Sequence, residues 1–550
     1  MEQSFIAFLE DSIQKNWDLD ALTDYKGATL QYKDVARKIE KLHIIFELSG
    51  IKKGDKIAVC GRNSSHWGVT FLATITYGAV IVPILHEFKA DNIHNIVNHS
   101  EARLLLVGDM VWENLNENAM PLLEGVLLMN DFTLLVSRSE RLDYARDHLN
   151  ELFGKKFPRN FRREHVSYRR DKPEELAVIN YTSGTTSYSK GVMIPYRALW
   201  SNTQFAFDVL TMKPGDKLVS MLPMAHMYGL AFEFLYEFCV GCHIYFLTRM
   251  PSPKIIFQAF ADIKPNLVVA VPLIIEKIIK KNVLPKLESP AMKILLKVPI
   301  INDKIKATVR EQMIQAFGGN FYQIIVGGAA FNQEIEQFLK SIDFPYTVGY
   351  GMTECAPIIC YEDWKRFKTG SCGKAAPRME VKIVSPDPEN IVGEIICKGP
   401  NVMLGYYKNP EATAEVIDKE GWLHTGDLGI MDAEGNITIK GRSKNMLLGA
   451  SGQNIYPEEI EDKLNNMPFV AESIIIQQTD GKLAALIYPD FDDAFAHGMN
   501  NDAQAMEENR IALNAELPAY SQITRVKIYP EEFEKTPKKS IKRFLYQEVK

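Results

Sequence analysis

The chain has 550 residues, of which 46% are apolar and 24% charged, and its formal net charge is −6. The length predicts three or four separately packed cores, and the composition is ordinary for a soluble globular protein. The acidic balance excludes nucleic acid as an expected partner. The N-terminal residues are acidic and lack the basic start of a secretory signal, so none is expected.

The first part of the chain alternates between helical and strand patterns. Apolar residues recur at helical spacing from Val35 to Phe46, and Gly50 is expected to end that helix. A second helix is expected from Trp67. Short apolar strands are expected at residues 57–59, 80–82 and 104–107. Strands separated by helices predict a mostly parallel, doubly wound sheet.

A basic stretch occupies residues 155–170, with seven lysines and arginines. A solvated linker is one interpretation. Contact with anionic lipid or with the phosphates of coenzyme A is the alternative.

A loop rich in hydroxyl groups follows a predicted buried strand at residues 176–181. It reads Thr182-Ser-Gly-Thr-Thr-Ser-Tyr-Ser-Lys190-Gly191. Glycines, hydroxyls, free backbone N–H groups and one lysine suit a polyphosphate, although the same composition is typical of a flexible connector. It is not a Walker loop, because Val192 follows the Lys-Gly pair and no Ser or Thr stands where Mg²⁺ would be held.

The most apolar span, residues 221–247, is long enough to cross a bilayer. It contains His226, Glu233 and Glu237, and carboxylates inside a membrane are costly, so a helix plus a core strand is predicted. The seven cysteines are scattered and odd in number, which favours a reducing compartment. Cys239 and Cys242 are interpreted as buried structural thiols rather than as a redox or zinc pair.

Four later segments have compositions that suit ligand binding. Each also has a purely structural interpretation, as a packing histidine, a tight strand-to-helix turn or a turn-forming aspartate. The segments are Pro223-Met-Ala-His226-Met-Tyr-Gly229, Ile324-Ile-Val-Gly-Gly328-Ala329-Ala330, Tyr350-Gly351-Met-Thr353-Glu354, and Gly421-Trp-Leu-His-Thr-Gly-Asp427-Leu-Gly429, the last followed by Gly441-Arg442.

Together these segments resemble the adenylate-forming, AMP-binding superfamily, and most of all its long-chain fatty acid–CoA ligases. The loop matches the family signature Tyr-Thr-Ser-Gly-Thr-Thr-Gly-x-Pro-Lys-Gly-Val, except that Ser187 replaces glycine and Ser189 replaces proline. The resemblance covers nearly the whole chain. It implies an α/β fold with a large N-terminal domain of doubly wound, mixed or parallel sheets plus a distorted β-barrel. A small, mobile α+β C-terminal domain completes the implied fold.

The resemblance also implies roles for individual residues. Tyr350 would stack on adenine, Asp427 and Arg442 would hold the ribose, and Glu354 would bind Mg²⁺. His226 is expected beside the acyl group, and Gly452 beside coenzyme A. Catalytic roles are implied for Lys190, Thr353 and Glu354, and Lys539 is selected as a catalytic candidate in the tail, where this chain departs from the family pattern. Nucleotide binding is implied for Thr182, Ser183, Gly184, Thr185, Thr186, Gly328, Ala329, Tyr350, Gly351, Asp427 and Arg442.

The implied domain boundaries follow the ribose-binding arginine. The large domain would span residues 1–441, the hinge residues 442–446 around Lys444, and the small domain residues 447–550. Strands of the small domain are expected at residues 473–476, 483–488 and 523–528.

The C-terminal tail departs from the family pattern Thr-x-x-Gly-Lys-Ile-x-Arg. This chain has Thr536-Pro-Lys-Lys-Ser540-Ile-Lys-Arg543, so Ser540 stands where the catalytic lysine belongs. Lys538, Lys539 and Lys542 are the candidates to replace it, and a basic surface tail is the alternative.

These features predict an ATP-dependent acid–thiol ligase. It would convert a carboxylic acid, with a long-chain fatty acid as first choice, into an acyl-adenylate and then into acyl-CoA, AMP and pyrophosphate. ATP, Mg²⁺ and coenzyme A are the expected small molecules. The alternatives are delivery to a carrier protein, a shorter or aryl acid, and a nucleotide-binding protein with weak catalysis because of Ser540. A cytoplasmic location is expected, with peripheral membrane contact as the alternative, and either a monomer or a homodimer.

Overall fold

A computed structural model of the chain describes residues 3–182, 190–249, 252–283, 287, 299–449, 453–491, 494, 502–536 and 541–547. Its elements alternate strand and helix through the first half of the chain and become strand-rich in the second half.

The described strands, in chain order, are β1 (Asp20–Asp24), β2 (Thr29–Gln31), β3 (Lys56–Cys60), β4 (Val80–Ile84), β5 (Ala102–Val107), β6 (Gly125–Leu128), β7 (Leu134–Ser137), β8 (Leu176–Thr182), β9 (Lys190–Pro195), β10 (Lys217–Ser220), β11 (His243–Phe246), β12 (Val268–Ala270), β13 (Ile324–Val326), β14 (Tyr346–Val348), β15 (Tyr350–Gly351), β16 (Ile358–Tyr361), β17 (Lys374–Ala375), β18 (Glu380–Val384), β19 (Gly393–Lys398), β20 (Gly405–Tyr406), β21 (Leu423–Met431), β22 (Ile437–Arg442), β23 (Leu447–Leu448), β24 (Asn454–Ile455), β25 (Val470–Gln477), β26 (Leu483–Pro489) and β27 (Ile523–Ile528).

The described α-helices are α1 (Phe5–Lys15), α2 (Tyr32–Leu48), α3 (Ser65–Tyr77), α4 (Ala90–Ser100), α5 (Asp109–Trp112), α6 (Glu140–Asp147), α7 (Leu149–Lys156), α8 (Tyr196–Val209), α9 (Met227–Leu230), α10 (Tyr236–Val240), α11 (Pro253–Ile263), α12 (Pro272–Asn282), α13 (Pro299–Ala316), α14 (Gln333–Ser341), α15 (Pro410–Val416), α16 (Pro457–Leu464) and α17 (Asp502–Glu516). A π-helical turn, Ala231–Leu235, joins α9 to α10.

The largest sheet has the order β20-β9-β8-β4-β3-β5-β6-β7. Its central strands, from β8 to β6, are parallel, and the strands at both ends are antiparallel. Strands buried on both faces need continuous apolar runs, and β4 is buried at every position. The predicted doubly wound sheet is therefore confirmed.

Helix α3 shows how local chemistry sets the ends of these elements. The Ser64 hydroxyl accepts a hydrogen bond from the Trp67 N–H at 3.1 Å, which caps the start of the helix. Gly78 ends it with a φ of 94°, a left-handed conformation that favours glycine. The chain then enters β4 directly.

Two smaller sheets lie in the same large unit. One has the order β10-β11-β1-β2, and the other is the parallel sheet β12-β13-β14. The apolar span at residues 221–247 forms α9, the π-helical turn, α10 and β11, which confirms the helix-plus-strand prediction.

The predicted β-barrel is wrong for the described part of the chain. Strands β18-β19-β21-β22 form an open antiparallel sheet of four, and β15-β16-β17 form another of three. The edge strands β18 and β22 do not pair with each other in the described residues, so the sheet does not close.

The C-terminal residues have cores of their own. Two clusters of buried residues extend from Ile455 to Tyr546, around the sheet β25-β26-β27, whereas the main core runs from Phe5 to Ile437. Lys280 donates to the Asn465 carbonyl at 3.0 Å, and Asn332 donates to the Asn466 side chain at 2.7 Å across the two units. The residue limits of the domains and the hinge stay predictions.

All seven cysteines are buried and unpaired, as the structural interpretation of Cys239 and Cys242 expects. Among the described residues, no helix is both long enough and apolar enough to span a bilayer.

Candidate active site

A cavity of about 2380 Å³ opens between the C-terminal unit and the rest of the molecule. It is lined by every predicted site residue that the structure describes: Thr182, Lys190, His226, Gly328, Ala329, Tyr350, Gly351, Thr353, Glu354, Asp427, Arg442 and Lys444. The other predicted site residues lie outside the described residues: Ser183, Gly184, Thr185, Thr186, Gly452 and Lys539. Segments that are far apart in the sequence thus line the same cavity.

The phosphate-type loop is carried by an antiparallel hairpin. Strands β8 and β9 pair so that Thr182 lies opposite Lys190, with residues 183–189 between them. The Lys190 ammonium group lies over the ring of Tyr406, 4.9 Å from the ring centroid. The structure therefore places the lysine at the mouth of the hairpin, facing the cavity.

The Thr353–Glu354 pair lies on a 3₁₀ turn, Thr353–Cys355. The preceding Gly351 has no room for a side chain, because a Cβ there would lie 2.2 Å from the Pro357 carbonyl oxygen. Glu354 accepts a hydrogen bond from the Tyr406 hydroxyl at 2.9 Å. The Thr353 hydroxyl is buried and has no hydrogen-bond partner within the described parts of the chain. A buried hydroxyl without a partner is unusual and suggests that a ligand completes it.

The donor set fits a Mg²⁺ ion that is shared with substrate phosphates. Mg²⁺ is usually bound by one or two carboxylates together with phosphate oxygens and waters, and Glu354 supplies one carboxylate at the cavity wall. No cluster of three or more His, Cys, Asp or Glu that could hold a metal by itself occurs in the described residues.

The glycine segment after β13 lies on the ring of Tyr228. A Cβ at Gly327 would lie 3.1 Å from that ring, and Gly328 has a φ of 89°, so both positions favour glycine. The Tyr228 hydroxyl donates to the carbonyls of Ala270 and Ile325, at 3.3 and 3.2 Å. Gly328 and Ala329 are exposed to the cavity, which leaves a flat backbone surface there.

The two predicted ribose residues contact each other, and Asp427 also contacts Tyr350; we call these three residues the ribose trio. Asp427 and Arg442 are opposite each other on β21 and β22, and the Arg442 Nε lies 3.0 Å from Asp427 Oδ1 in an ion pair. The Tyr350 hydroxyl donates to Asp427 Oδ2 at 2.6 Å. Burial and the neighbouring carboxylate raise the pKa of Tyr350, so its hydroxyl keeps the proton that it donates.

His226 begins helix α9, and its Nδ1 accepts a hydrogen bond from the Tyr228 N–H at 3.3 Å. The loop before it is held by the buried Glu233, which accepts from the N–H groups of Met221 and Leu222 at 3.0 and 2.8 Å. Burial raises the pKa of Glu233 well above its ordinary value. The histidine is thus fixed at the cavity wall by its own helix.

Part of the cavity lining is apolar. It includes Phe205, Leu210, Phe232, Ile325 and Tyr361, which we call the apolar arm. Ring centroids of Phe205 lie 5.9 Å from Phe232 and 5.3 Å from Tyr361, so the three rings form a compact cluster.

The C-terminal tail reaches the same cavity. Thr536, Lys542 and Arg543, which flank the undescribed residues 537–540, all line it. Lys542 pairs with Glu534 at 3.1 Å, and Arg543 pairs with Glu461. The exposed Lys444 follows β22, and beside it Asn445 donates to Glu458 at 2.6 Å.

Two cavity residues were not singled out by the sequence patterns. Tyr228 lies within a quoted segment, but only His226 was selected from it. Tyr406 lies in Gly405-Tyr406-Tyr407, where a glycine before two aromatic residues was the available signal. Both contacts depend on residues distant in sequence.

Comparison with known proteins shows that the chain belongs to the AMP-binding enzyme family. A sequence profile of the AMP-binding enzymes matches residues 9–407, and a profile of the AMP-binding enzyme C-terminal domain matches residues 444–548. The chain is 26% identical to the chloroplastic long-chain fatty acid–acyl-carrier-protein ligase AEE15 of Arabidopsis thaliana, with 88% of this chain and 76% of that protein covered.

It is 29% identical to the long-chain fatty acid–CoA ligase 5 of Rattus norvegicus, over 79% of this chain and 67% of that protein. The fold is similar to that of ATP-bound MatB from Rhodopseudomonas palustris, with a TM-score of 0.78 at 22% identity, covering 100% of this chain and 99% of the other.

Proposed function

Because the chain belongs to the AMP-binding enzyme family and is an AMP-forming acid–thiol ligase, we propose that it activates an apolar monocarboxylic acid with ATP. The first choice of acid is a long-chain fatty acid, and the first choice of acceptor is coenzyme A. One observation carries the proposal: the ribose trio, Lys190 with Glu354, and the apolar arm all line one cavity. An acid bound at the apolar arm and a nucleotide bound at the other residues would therefore be held in the same cavity.

In the first half-reaction, the carboxylate of the acid attacks the α-phosphorus of ATP and pyrophosphate leaves. The exposed backbone at Gly328 and Ala329 would accept the flat adenine ring. Asp427 would accept hydrogen bonds from both ribose hydroxyls, which a carboxylate can do. Lys190 would neutralise charge on the β- and γ-phosphates as pyrophosphate leaves.

Glu354 would hold Mg²⁺, with the Thr353 hydroxyl directed to a phosphate oxygen. When bound, Mg²⁺ would offset the negative charge of the phosphate groups. The unpartnered hydroxyl and the single carboxylate of this turn support the assignment.

The apolar arm supports a hydrocarbon acid. The cluster of Phe205, Phe232 and Tyr361 rings at the cavity wall offers apolar surface to a hydrocarbon chain. A long alkyl chain gains from the burial of each CH₂ group, by about 0.8 kcal/mol.

In the second half-reaction, the thiol of coenzyme A attacks the acyl carbonyl and AMP leaves. We propose that the unit after residue 447 turns about Lys444 between the two steps and brings Gly452 to the thiol. The exposed position of Lys444 between two separately packed cores supports a hinge. In the tail, Lys539 is the first choice for charge stabilisation and Lys538 the second, whereas Lys542 is paired with Glu534.

A carrier protein is the second candidate acceptor, because one relative is named as an acyl-carrier-protein ligase. Either thiol would complete the same chemistry, so the acceptor has to be found by assay.

The test is pyrophosphate release from ATP with acids from six to eighteen carbons, and with an aryl acid. Each is assayed alone, with coenzyme A, and with a phosphopantetheine carrier protein. We expect release that rises with chain length and an acyl-CoA product. A maximum with an aryl or short acid would overturn the fatty-acid assignment. No release with any acid would favour a nucleotide-binding protein with weak catalysis.

The apolar arm has its own test. Phe232→Trp adds bulk to the aromatic cluster and should lower the longest chain accepted, by at least two carbons. Phe207→Trp is the matched control, because Phe207 lies on the same helix as Phe205 but is partly exposed and does not line the cavity. An unchanged chain-length profile in Phe232→Trp would place the acyl group elsewhere.

A further inference from the structure

Strand β20 crosses the cavity wall beside the phosphate-type hairpin. Gly405 and Tyr406 pair antiparallel with Met193 and Val192 of β9. The Tyr407 N–H donates to the Gly191 carbonyl at 2.7 Å, next to Lys190. This pairing brings the ring of Tyr406 under the Lys190 ammonium group, at 4.9 Å from the centroid. A cation over an aromatic face is attracted to it.

The segment that contains this strand also contacts the Glu354 turn. Just before the strand, the Met403 N–H donates to the Glu354 carbonyl at 2.8 Å. The Tyr406 hydroxyl donates to Glu354 Oε1 at 2.9 Å. One tyrosine therefore contacts the two charged groups that the proposed function assigns to the phosphates and to Mg²⁺, with its ring on one and its hydroxyl on the other.

Tyr406 is itself held in place. Its side chain is buried, and its N–H donates to the Thr413 hydroxyl at 2.8 Å. The Tyr406 hydroxyl is the donor in its hydrogen bond to Glu354 Oε1. A fixed donor of this kind can fix the orientation of the carboxylate that it contacts.

We propose that Tyr406 is a positioning residue that aligns Lys190 and Glu354 for a Mg²⁺-bound triphosphate. Its hydroxyl donates to Oε1 of Glu354, so this carboxylate, held in one orientation, would be the group that holds the cation, while the ring of Tyr406 limits where the lysine can lie. The proposal rests on the proposed function, because it needs a triphosphate in this cavity. Groups that orient a metal ligand in this way typically change metal affinity or activity about 10- to 100-fold when removed.

The test is Tyr406→Phe, which keeps the ring over Lys190 and removes only the hydroxyl. The affinity of the full-length protein for α,β-methylene-ATP is measured by calorimetry, without Mg²⁺ and across a Mg²⁺ titration, with no acid present. We expect the affinity without Mg²⁺ to be unchanged and the Mg²⁺ concentration for half-maximal effect to rise about tenfold.

Tyr407→Phe is the matched control. It removes the hydroxyl of the next residue, which donates to Glu101 at 3.0 Å, outside the Glu354 turn. We expect wild-type Mg²⁺ dependence from it. Tyr406→Met, which lacks the ring as well, should also weaken the affinity without Mg²⁺, and it serves as the second variant if Tyr406→Phe does not fold.

Glu354→Gln decides whether the hydroxyl acts through this carboxylate. If it does, adding Tyr406→Phe to Glu354→Gln produces no further rise in the Mg²⁺ requirement. Equal Mg²⁺ dependence of wild type and Tyr406→Phe, or effects of the two substitutions that simply multiply, would overturn the proposal. A wild-type protein that does not bind the nucleotide analogue at all would instead overturn the proposed function.

Discussion

At the proposed ribose end of the cavity, both oxygens of Asp427 are engaged, by Tyr350 and by Arg442. At the proposed phosphate end, the Lys190 ammonium group lies over the ring of Tyr406, and the Thr353 hydroxyl has no partner among the residues that the structure describes. The Asp427 carboxylate is thus satisfied within the protein, whereas the proposed function assigns the Thr353 hydroxyl a partner on the ligand.

This difference separates two ways of preparing a binding site. A carboxylate that is held by two donors keeps its position, and a sugar can add hydrogen bonds to it at little cost in reorganisation. A buried hydroxyl without a partner lowers the stability of the empty protein. A ligand that forms a hydrogen bond with it removes this penalty. Removal of the Thr353 hydroxyl should therefore stabilise the empty protein, whereas removal of a partnered group such as the Tyr350 hydroxyl should not, although both substitutions lower activity.

The largest effect is expected from Lys190→Met, at the phosphate end. Loss of the charge that faces the leaving pyrophosphate should lower the rate of ATP–pyrophosphate exchange about 100- to 1,000-fold. Lys382→Met is the matched control, since Lys382 also lies over an aromatic ring, that of Trp422 at 4.2 Å, but outside the cavity. A Lys190→Met rate within threefold of wild type would remove the lysine from the mechanism.

At the ribose end, Asp427→Asn should raise the KM for ATP about 10- to 100-fold, because hydrogen bonds to a charged acceptor contribute about 1.5–3 kcal/mol each. The matched measurement uses 2′-deoxy-ATP as substrate. Wild type should prefer ATP, and the variant should discriminate less between the two. If the preference for ATP persists in Asp427→Asn, the carboxylate does not bind the 2′-hydroxyl.

Thr353→Val is expected to change stability and activity in opposite directions. Removal of a buried hydroxyl that has no partner within the described ranges should raise the free energy of unfolding by about 1 kcal/mol, while exchange activity should fall about tenfold. Thr347→Val is the control, because the buried Thr347 hydroxyl donates to the Glu362 carbonyl at 2.6 Å and its loss should destabilise. Denaturant unfolding and exchange assays measure both. Destabilisation by Thr353→Val would mean that the hydroxyl is already satisfied.

The smallest effect is expected from Tyr350→Phe. Arg442 still holds Asp427 in that variant, so the KM for ATP should rise only about threefold, as expected for one hydrogen bond of average strength. Tyr196→Phe removes a similarly buried hydroxyl, which donates to the Ile75 carbonyl at 2.8 Å away from the cavity, and should leave the KM unchanged. A rise as large as that of Asp427→Asn would show that Tyr350, not Arg442, fixes the carboxylate.

Local patterns predicted much of the fold. The strand at residues 523–528 is β27, the helix from Val35 to Phe46 lies within α2, and Gly78 and Ser64 show that caps follow local chemistry. The β-barrel was wrong, because closure depends on whether β18 and β22 meet, and that is decided by the twist and stagger of four strands rather than by any one of them.

By itself, the sequence determined the family and located the short segments that carry the proposed ligand chemistry, because several such segments occur together in the order of one family although each alone also has a structural interpretation. Only the tertiary structure decided which of those groups touch. Tyr406 reaches Glu354 across 52 residues because β20 pairs with β9, and Asp427 meets Tyr350 across 77. Such contacts arise from packing between distant strands, and no local pattern encodes a distance between two side chains.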